Sequence, residues 1–208
     1  MKRLATLLAS LGLVLLSPAV LAADKIPQGL LPTWAVPQHY TLDLKVDPRQ
    51  ARFSGTSTID VKLDRSADHV WLHGQDMTVD SVRVTPADGK PFEAKWVEAD
   101  GKTGVARIDF GHAVKPGTVT VAIHYNAPFN QQLQGLYKVS RDGRDYAMTQ
   151  FEPISARYAF PGFDQPDYKT PFDIRITLPA DQVAVAKRPE SRAQQHGQAC
   201  EPGTVATT

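Results

Sequence analysis

Apolar and polar residues alternate along much of the chain, and this alternation restricts the possible fold more than any other feature. Tyr40, Leu42 and Leu44 would face one side of a strand, while Thr41 and Asp43 would face the other. Such segments recur about every eight to twelve residues, with Gly- or Pro-containing turns between them. After the first 22 residues, no window keeps helical spacing over ten residues. The pattern predicts an all-β fold, an antiparallel β-sandwich or saddle.

The alternation also sets approximate strand boundaries. Strands are predicted at 40–46, 53–63, 70–73, 79–84, 92–97, 105–110, 119–125, 136–139, 146–151 and 172–178. The sequence Arg-Asp-Gly-Arg at 141–144 lies between two of them. Asp-Gly between two alternating segments indicates a β-hairpin turn.

The first 22 residues have the parts of a secretory signal. Lys2 and Arg3 supply a positive start, an apolar stretch runs from Leu4 to Leu16, and Val-Leu-Ala at 20–22 fits a cleavage site. The apolar stretch is shorter than the ~20 residues that span a bilayer, so a membrane anchor is the weaker alternative. The sequence predicts a signal peptide over 1–22, a periplasmic or extracellular protein, and no membrane span after cleavage.

Charge and cysteine content exclude some classes of protein. The chain has 208 residues, a formal net charge of +1 and one cysteine, Cys200. Nucleic-acid binding favours a clearly basic surface, which this chain lacks, so no nucleic-acid partner is expected. One cysteine cannot form a disulfide within the chain. Residues 23–186 are long enough for one domain that relies on its apolar core.

The composition changes near Lys187. From there to residue 208 the one branched aliphatic residue is Val205, and Gln, Arg, Ser, Pro and Gly are frequent. Such a segment buries too little apolar surface to offset its ordering entropy, so 187–208 is predicted to be a disordered polar tail. Because the apolar pattern stops abruptly, a changed reading frame is the hypothesis for its origin.

Gln150 and Glu152 are the candidate binding residues. They are two positions apart on a predicted strand, so an amide and a carboxylate would project from one face, and Pro153 would end the strand. A carboxylate can pair with an ammonium group, and an amide can hydrogen-bond to a peptide backbone. From the residues alone, a polar pair on a solvated strand face is the simpler alternative.

A longer motif surrounds this pair. Thr-Gln-Phe-Glu-Pro at 149–153 is followed by Ala-Arg-Tyr-Ala-Phe-Pro-Gly-Phe-Asp-Gln-Pro at 156–166. The motif resembles the segment ahead of the catalytic domain in zinc aminopeptidases of the aminopeptidase N type, which are gluzincin metallopeptidases. Leu-Pro at 31–32, Pro-Gln-His-Tyr at 37–40 and Gly-Leu-Tyr at 135–137 agree with it. The resemblance extends from Leu31 to about Ala186.

The resemblance implies a function for the candidate pair. It identifies 23–186 as the amino-terminal β-saddle domain of an exported zinc aminopeptidase, a hydrolase that removes amino-terminal residues from peptides. Glu152 would then anchor the α-amino group of the substrate, and Gln150 would be a substrate contact. Its partners would be the amino terminus of a peptide and a catalytic domain that is missing from this chain. A free-standing secreted β-domain that binds peptides or a partner protein is the alternative.

Two positions depart from the family pattern. Members often have Cys where this chain has Gly162, and Glu where it has Gln165. We expect these departures to affect local stability more than chemistry, since glycine adds backbone freedom and glutamine removes a charge. We also expect Arg157 and Asp164 to form a structural ion pair.

The zinc chemistry of the family requires residues that this sequence does not contain. Neither His-Glu-x-x-His nor Gly-x-Met-Glu-Asn occurs in it. His69 and His73 are four apart, but the residues between them predict a strand, on which the two would lie about 13 Å apart. Zinc is therefore expected only in the full-length family, with no metal ligand and no catalytic residue on this chain. By itself the chain is predicted to be inactive.

Overall fold

The computed structural model describes residues 25–186, 192–194 and 203–207. The predicted signal peptide at 1–22 lies outside these residues. Twelve strands are found in the described ranges, together with one 3₁₀ turn at Ala156–Tyr158. None of the described segments is a helix long and apolar enough to cross a membrane.

The strands are numbered along the chain. They are β1 (Ala35–Lys45), β2 (Arg52–Leu63), β3 (Ala67–His73), β4 (Thr78–Pro86), β5 (Phe92–Asp100), β6 (Val105–Val114), β7 (Gly117–Pro128), β8 (Gly135–Arg141), β9 (Arg144–Gln150), β10 (Phe172–Leu178), β11 (Arg192–Gln194) and β12 (Gly203–Thr207). Each of the ten predicted strands corresponds to one of β1 to β10. The alternation located them because one face of each strand meets the core.

Ten of the strands form one curled sheet, and β8 and β9 form a separate two-stranded ribbon. The order in the large sheet is β11-β12-β10-β1-β2-β7-β4-β5-β6-β3. β4 and β5 share only three residue pairs, from Val82 to Val84, so the sheet folds over at this point. The all-β saddle that the sequence predicts is confirmed. Antiparallel pairing is not universal, because β1 and β10 are parallel.

The core lies inside the curl. β2, β7 and β4 contribute apolar side chains from one part of the sheet, and β3 and β6 contribute them from the other. The completely buried members are Ile59, Val61, Val70, Val84, Ala106, Ile108, Val121 and Ile123. Burial of a Val or Ile side chain stabilises a fold by about 1.5–3 kcal/mol. On β2, β6 and β7 the side chains between these positions are partly exposed, which accounts for the alternation there. On β3, by contrast, residues 69–73 are all buried.

The stretch 187–208, for which the sequence predicts a disordered tail, is described only in part. β12 pairs antiparallel with β10, and β11 pairs with β12. In these two short segments the structure differs from the expected disorder, because the edge of β10 supplies backbone hydrogen bonds that composition cannot reveal. The rest of the predicted tail lies outside the described residues.

The β8–β9 ribbon has the tight hairpin turn that the sequence predicts. Arg141 pairs with Arg144, so Asp142 and Gly143 alone form the turn. Both have positive φ, 52° and 73°, as a type I′ turn requires. Gly adopts this region without strain, and Asp is among the residues that tolerate it. The ribbon carries Gln150, one of the two candidate binding residues, at the end of β9.

Candidate functional site

Gln150 and Glu152 both lie at the end of the ribbon, but not on one strand. β9 ends at Gln150, and Glu152 belongs to the turn that follows. The predicted strand to residue 151 is therefore too long, and strand alternation does not place the two side chains on one face. The chain leaves the ribbon here because β8, its partner, begins at Gly135 opposite Gln150. Both candidate side chains are exposed.

The segment after Gln150 is a closed turn. The backbone N–H of Ser155 donates to the carbonyl oxygen of Phe151 at 2.7 Å, and the Glu152–Pro153 peptide bond is cis. Phe151 packs edge-to-face on Phe160, with ring centroids 5.8 Å apart. Ser155 is buried at the far side of the turn. The turn therefore presents the Glu152 carboxylate to solvent from a backbone that is fixed at both ends.

Gly135 allows β8 to pass close beneath the 3₁₀ turn. Its φ is +62°, and an added Cβ would lie 2.6 Å from Cβ of Tyr158 and 3.0 Å from the carbonyl oxygen of Ser155. Only glycine combines that φ with so close a backbone approach without strain. Because Gly135 pairs with Gln150, this contact fixes the end of the ribbon relative to the turn.

A buried ion pair holds the segment after the turn. Nε of Arg157 donates to Oδ2 of Asp164 at 2.8 Å, which confirms the expected structural pair. The guanidinium also donates to the carbonyl oxygens of Asp164 and Thr103. The backbone oxygen of Arg157 accepts a hydrogen bond from the N–H of Gln75. These bonds tie the 156–164 segment to the loops that follow β3 and β5.

His73 has a structural position beside this pair. Its ring Nδ1 accepts a hydrogen bond from the N–H of Asp164 at 3.2 Å. Burial, together with the nearby positive charge of Arg157, lowers the pKa of His73 to about 3. The imidazole is therefore neutral at ordinary pH, as an acceptor at Nδ1 must be.

The described residues do not fit a zinc ion. None of them forms a group of three or more His, Cys, Asp or Glu side chains that could hold a metal. His69 and His73 both lie on β3, a strand as the sequence predicts. Nδ1 of His69 pairs with Oδ1 of Asp68 at 2.6 Å, while Nδ1 of His73 is used by the backbone.

Gly162 and Gln165 have roles that the sequence did not reveal. A Cβ on Gly162 would lie 3.0 Å from the Tyr40 ring and 3.0 Å from its hydroxyl oxygen. The backbone at this position is therefore tightly packed, and glycine does not loosen the structure here. The Tyr40 hydroxyl accepts from the N–H of Phe163, and burial raises the pKa of this phenol. Oε1 of Gln165 accepts from the N–H of Leu31 at 2.5 Å, so a neutral side chain fastens the segment before β1.

A hollow lies on the polar face of the large sheet, away from the candidate pair. Its volume is about 310 Å³, and Asp43, Thr56, Asp80 and His124 are among its lining residues. Thr56 and His124 share a hydrogen bond, and Asp43 pairs with Arg175. Oδ1 of Asp80 accepts from Nδ2 of Asn126 at 3.4 Å, so each of these four side chains has a hydrogen-bond or ion-pair partner. No sequence pattern predicted the hollow, since its lining residues come from five different strands.

Comparison with known proteins identifies similar chains. A sequence profile described as the Peptidase M1 N-terminal domain matches residues 36–202. This match continues beyond Ala186, where the resemblance was expected to stop. The chain is 32% identical over 153 residues to a puromycin-sensitive aminopeptidase of Caenorhabditis elegans, covering 71% of this chain and 16% of that protein.

Bacterial relatives are similar to the same degree. An aminopeptidase N of Lactobacillus delbrueckii is 33% identical over 164 residues, which cover 76% of this chain and 18% of that protein. An aminopeptidase N of Acetobacter pasteurianus is 28% identical over an alignment of 223 residues that covers all of this chain and 60% of that protein. The chain thus spans less than two thirds of the length of each of these relatives.

Proposed function

Because this chain belongs to the M1 peptidase family, as an amino-terminal domain of its aminopeptidases, we propose that it supplies the substrate amino-terminus anchor of an exported zinc aminopeptidase. In this proposal Glu152 pairs with the free α-amino group of a peptide, and Gln150 hydrogen-bonds to the peptide near that end. The observation that supports it is the exposed Glu152 carboxylate on a turn held by Gly135 and by buried contacts.

The zinc of the family would supply an activated water for hydrolysis. That group has no fitting ligands among the described residues, and the sequence lacks the family's zinc motif. The contribution of this chain is confined to binding and orientation of the peptide amine. The catalytic domain of the family would have to contribute the remaining groups, so the chain alone is expected to leave aminoacyl substrates intact.

Glu152 alone should bind an amine weakly. Its side chain is exposed, and an exposed ion pair contributes about 0.2–1 kcal/mol because water screens it. We therefore expect a free peptide amine to bind about 1.4- to fivefold more tightly than an acetylated one. A catalytic domain that covered the site would strengthen the pair by excluding water.

The test is an NMR titration of the chain with alanyl-alanyl-alanine amide and with its N-acetyl form. We expect amide shifts around residues 149–155 that are larger with the free amine and are lost in Glu152→Gln. Glu98→Gln, an exposed change on β5, is the matched control and should keep the difference. Equal shifts with both peptides, or an unaffected Glu152→Gln titration, would overturn the proposed anchor.

Hydrolysis is measured separately with the purified chain, zinc and an aminoacyl p-nitroanilide. No release of nitroaniline above the protein-free rate is expected. Turnover that disappears with Glu152→Ala would show that this chain carries catalytic groups and would contradict the division of roles proposed here.

A free-standing binding module is the second candidate, and the closed core favours it. The buried apolar cluster runs from Leu31 to Leu178, so the described residues make their own core. A module should remain folded and soluble by itself. Aggregation of the purified chain, or the absence of a cooperative unfolding transition, would count against this candidate.

A further inference from the structure

The hollow on the polar face of the large sheet lies where two features distort the strands. At Gly55 on β2, an added Cβ would lie 2.8 Å from the carbonyl oxygen of Asp43, so glycine allows β1 to approach closely. On β4 the pairing with β7 shifts between Val79 and Ser81, which leaves Asp80 as an extra residue. Such a β-bulge bends its strand and redirects a side chain. Gly55 and Asp80 both line the hollow, whose volume is about 310 Å³.

Asp80 brings a carboxylate to the hollow that the fold uses little. Its Oδ1 accepts one long hydrogen bond, from Nδ2 of Asn126 at 3.4 Å, and no residue that the structure describes forms an ion pair with it. An ionised carboxylate has two oxygens and about four acceptor positions. The bulge therefore places a negative charge here whose capacity to accept hydrogen bonds is largely unused within the described part of the chain.

Lys45 supplies a positive charge at the other end of the hollow. Its register partners are Ser54 on β2 and Thr177 on β10, and both also line the hollow. Register partners share a face of the sheet, so an ammonium group and two hydroxyl groups lie side by side. Among the described residues Lys45 has no ion-pair partner. All three side chains can donate hydrogen bonds, as a bound carboxylate requires.

This mixture of charges argues against several classes of ligand. The described residues contain no group of three His, Cys, Asp or Glu side chains that could hold a metal ion. A polyanion would meet the carboxylates of Asp43 and Asp80, and a polycation would meet Lys45 and the Arg175 that pairs with Asp43. Tyr125, the aromatic residue of the lining, is 1% exposed and offers no ring face for a sugar. A small molecule with one positive and one negative end fits best.

The strand order indicates how far apart the two ends of that molecule should be. β1 carries Lys45 and β4 carries Asp80, and β2 and β7 lie between them. Three interstrand spacings separate the two backbones by about 14 Å. The two side chains can span part of this distance. The remainder corresponds to two or three extended residues of a peptide, at about 3.3–3.6 Å each.

We propose that the hollow binds an unblocked peptide of two or three residues, extended across the strands, with its carboxylate at Lys45 and its ammonium group at Asp80. Between these ends, Nε2 of His124 and Oδ2 of Asp43 are available to the peptide backbone, because Nδ1 of His124 is bonded to Thr56 and Oδ1 of Asp43 to Arg175. The site is separate from the proposed Glu152 anchor, which recognises the amino end alone.

An NMR titration of the whole chain with trialanine, its carboxy-terminal amide and its N-acetyl form tests the site. We expect the amide signals of residues 54–56 and 124 to shift most with the unblocked peptide. Lys45→Gln should raise the dissociation constant of trialanine about 1.4- to fivefold and remove the preference over the peptide amide. Asp80→Asn keeps an acceptor for Asn126 and should remove the preference over the N-acetyl form.

Lys62→Gln is the matched control, because Lys62 is an exposed lysine on β2 that does not line the hollow. This variant should keep both preferences. Lys45 and Asp80 are themselves exposed, so their variants should retain the wild-type fold, which the dispersion of the amide spectrum checks. Free alanine should shift the signals of residues 54–56 less than trialanine does, because its two charges lie too close together to reach both ends.

Three results would overturn the proposal. They are equal shifts at residues 54–56 with blocked and unblocked peptides, unchanged preferences in both Lys45→Gln and Asp80→Asn, and binding of free alanine as tight as that of trialanine. Glu152→Gln distinguishes this site from the anchor, since it should remove the shifts at residues 149–155 and leave those at 54–56. An absence of shifts at 149–155 in the wild type, with those at 54–56 intact, would contradict only the anchor.

Discussion

At the scale of single residues, Arg157 and Gly135 do most to place the candidate anchor. Arg157 holds the segment behind the turn through Asp164 and Thr103. Gly135 lets β8 pass beneath Ser155 and Tyr158. Neither residue is a candidate for contact with the peptide. Substitution of either residue should therefore lower the stability of the fold. It should change the preference of Glu152 for a free amine only by moving the Glu152 side chain.

Arg157→Ala is expected to destabilise the fold by about 3–5 kcal/mol. The substitution leaves the Asp164 carboxylate buried without its cation, which is the costly way to break a buried pair. Urea unfolding followed by circular dichroism measures the loss. Arg175→Ala, which breaks an exposed pair with Asp43, is the control and should change stability by less than about 1 kcal/mol. Equal losses of stability in Arg157→Ala and Arg175→Ala would show that burial of an ion pair does not determine the cost of breaking it.

Gly135→Ala is expected to cost more than Gly89→Ala, although both residues have positive φ. At Gly89 the added methyl meets nothing within 4 Å, so the loss is the backbone strain of about 1 kcal/mol. At Gly135 the methyl also meets Tyr158 at 2.6 Å, which adds roughly 1–3 kcal/mol of overpacking. Thermal and urea unfolding of the two variants give the comparison. A smaller loss of stability in Gly135→Ala than in Gly89→Ala would mean that the 3₁₀ turn shifts to accommodate the added methyl at little energetic cost.

At the scale of elements, β3 and the 162–164 segment are joined at His73. The N–H of His73 donates to the carbonyl oxygen of Gly162 at 2.7 Å, and the N–H of Gly162 donates back at 2.9 Å. The side chain of His73 adds an acceptor for Asp164. Since a protonated imidazole cannot accept at Nδ1, this junction should be sensitive to pH.

Acid should weaken the fold through His73. Its pKa is about 3 when folded and about 6.5 when unfolded, so between these values the unfolded chain binds the extra proton. The contribution of His73 to the free energy of unfolding is fully present above about pH 6.5 and falls as the pH decreases toward 3. At pH 5 it is smaller by about 2 kcal/mol.

Urea midpoints at pH 7.5 and pH 5 measure the effect of His73. His73→Asn keeps an acceptor, and its loss of stability between the two pH values should be smaller by about that amount. His196→Asn removes a histidine of the predicted polar tail and serves as the control. A His73→Asn protein with the full acid sensitivity of the wild type would contradict this source of the pH dependence.

At the scale of the whole molecule, the curled sheet encloses one core and should unfold as one unit. Ile59→Ala removes a completely buried side chain on β2 and is expected to cost about 2–5 kcal/mol. Val183→Ala, at a position 86% exposed, should change stability by less than about 0.5 kcal/mol. Near- and far-ultraviolet circular dichroism should give coincident transitions in both proteins. Separate transitions would show that the two parts of the sheet unfold independently.

The sequence by itself determined β1 to β10, because most of these strands have one face in the core and one more exposed face, and a period of two records that difference directly. It also determined the Asp-Gly hairpin, where two consecutive positive φ angles demand those residue types, and the family motif around Gln150 and Glu152. The Arg157–Asp164 pair was predicted from charge within that motif. The roles of Gln150 and Glu152 stay predictions.

Tertiary structure alone decided where β9 ends, and so put Glu152 in a turn rather than beside Gln150 on a strand. It also decided the parallel β1–β10 pair, the tight fit of Gly162 against Tyr40, and the bond from Leu31 to Gln165. These features join residues up to 134 positions apart. A local pattern records only whether a side chain is buried, whereas pairing direction and close packing depend on which distant backbone lies beside it.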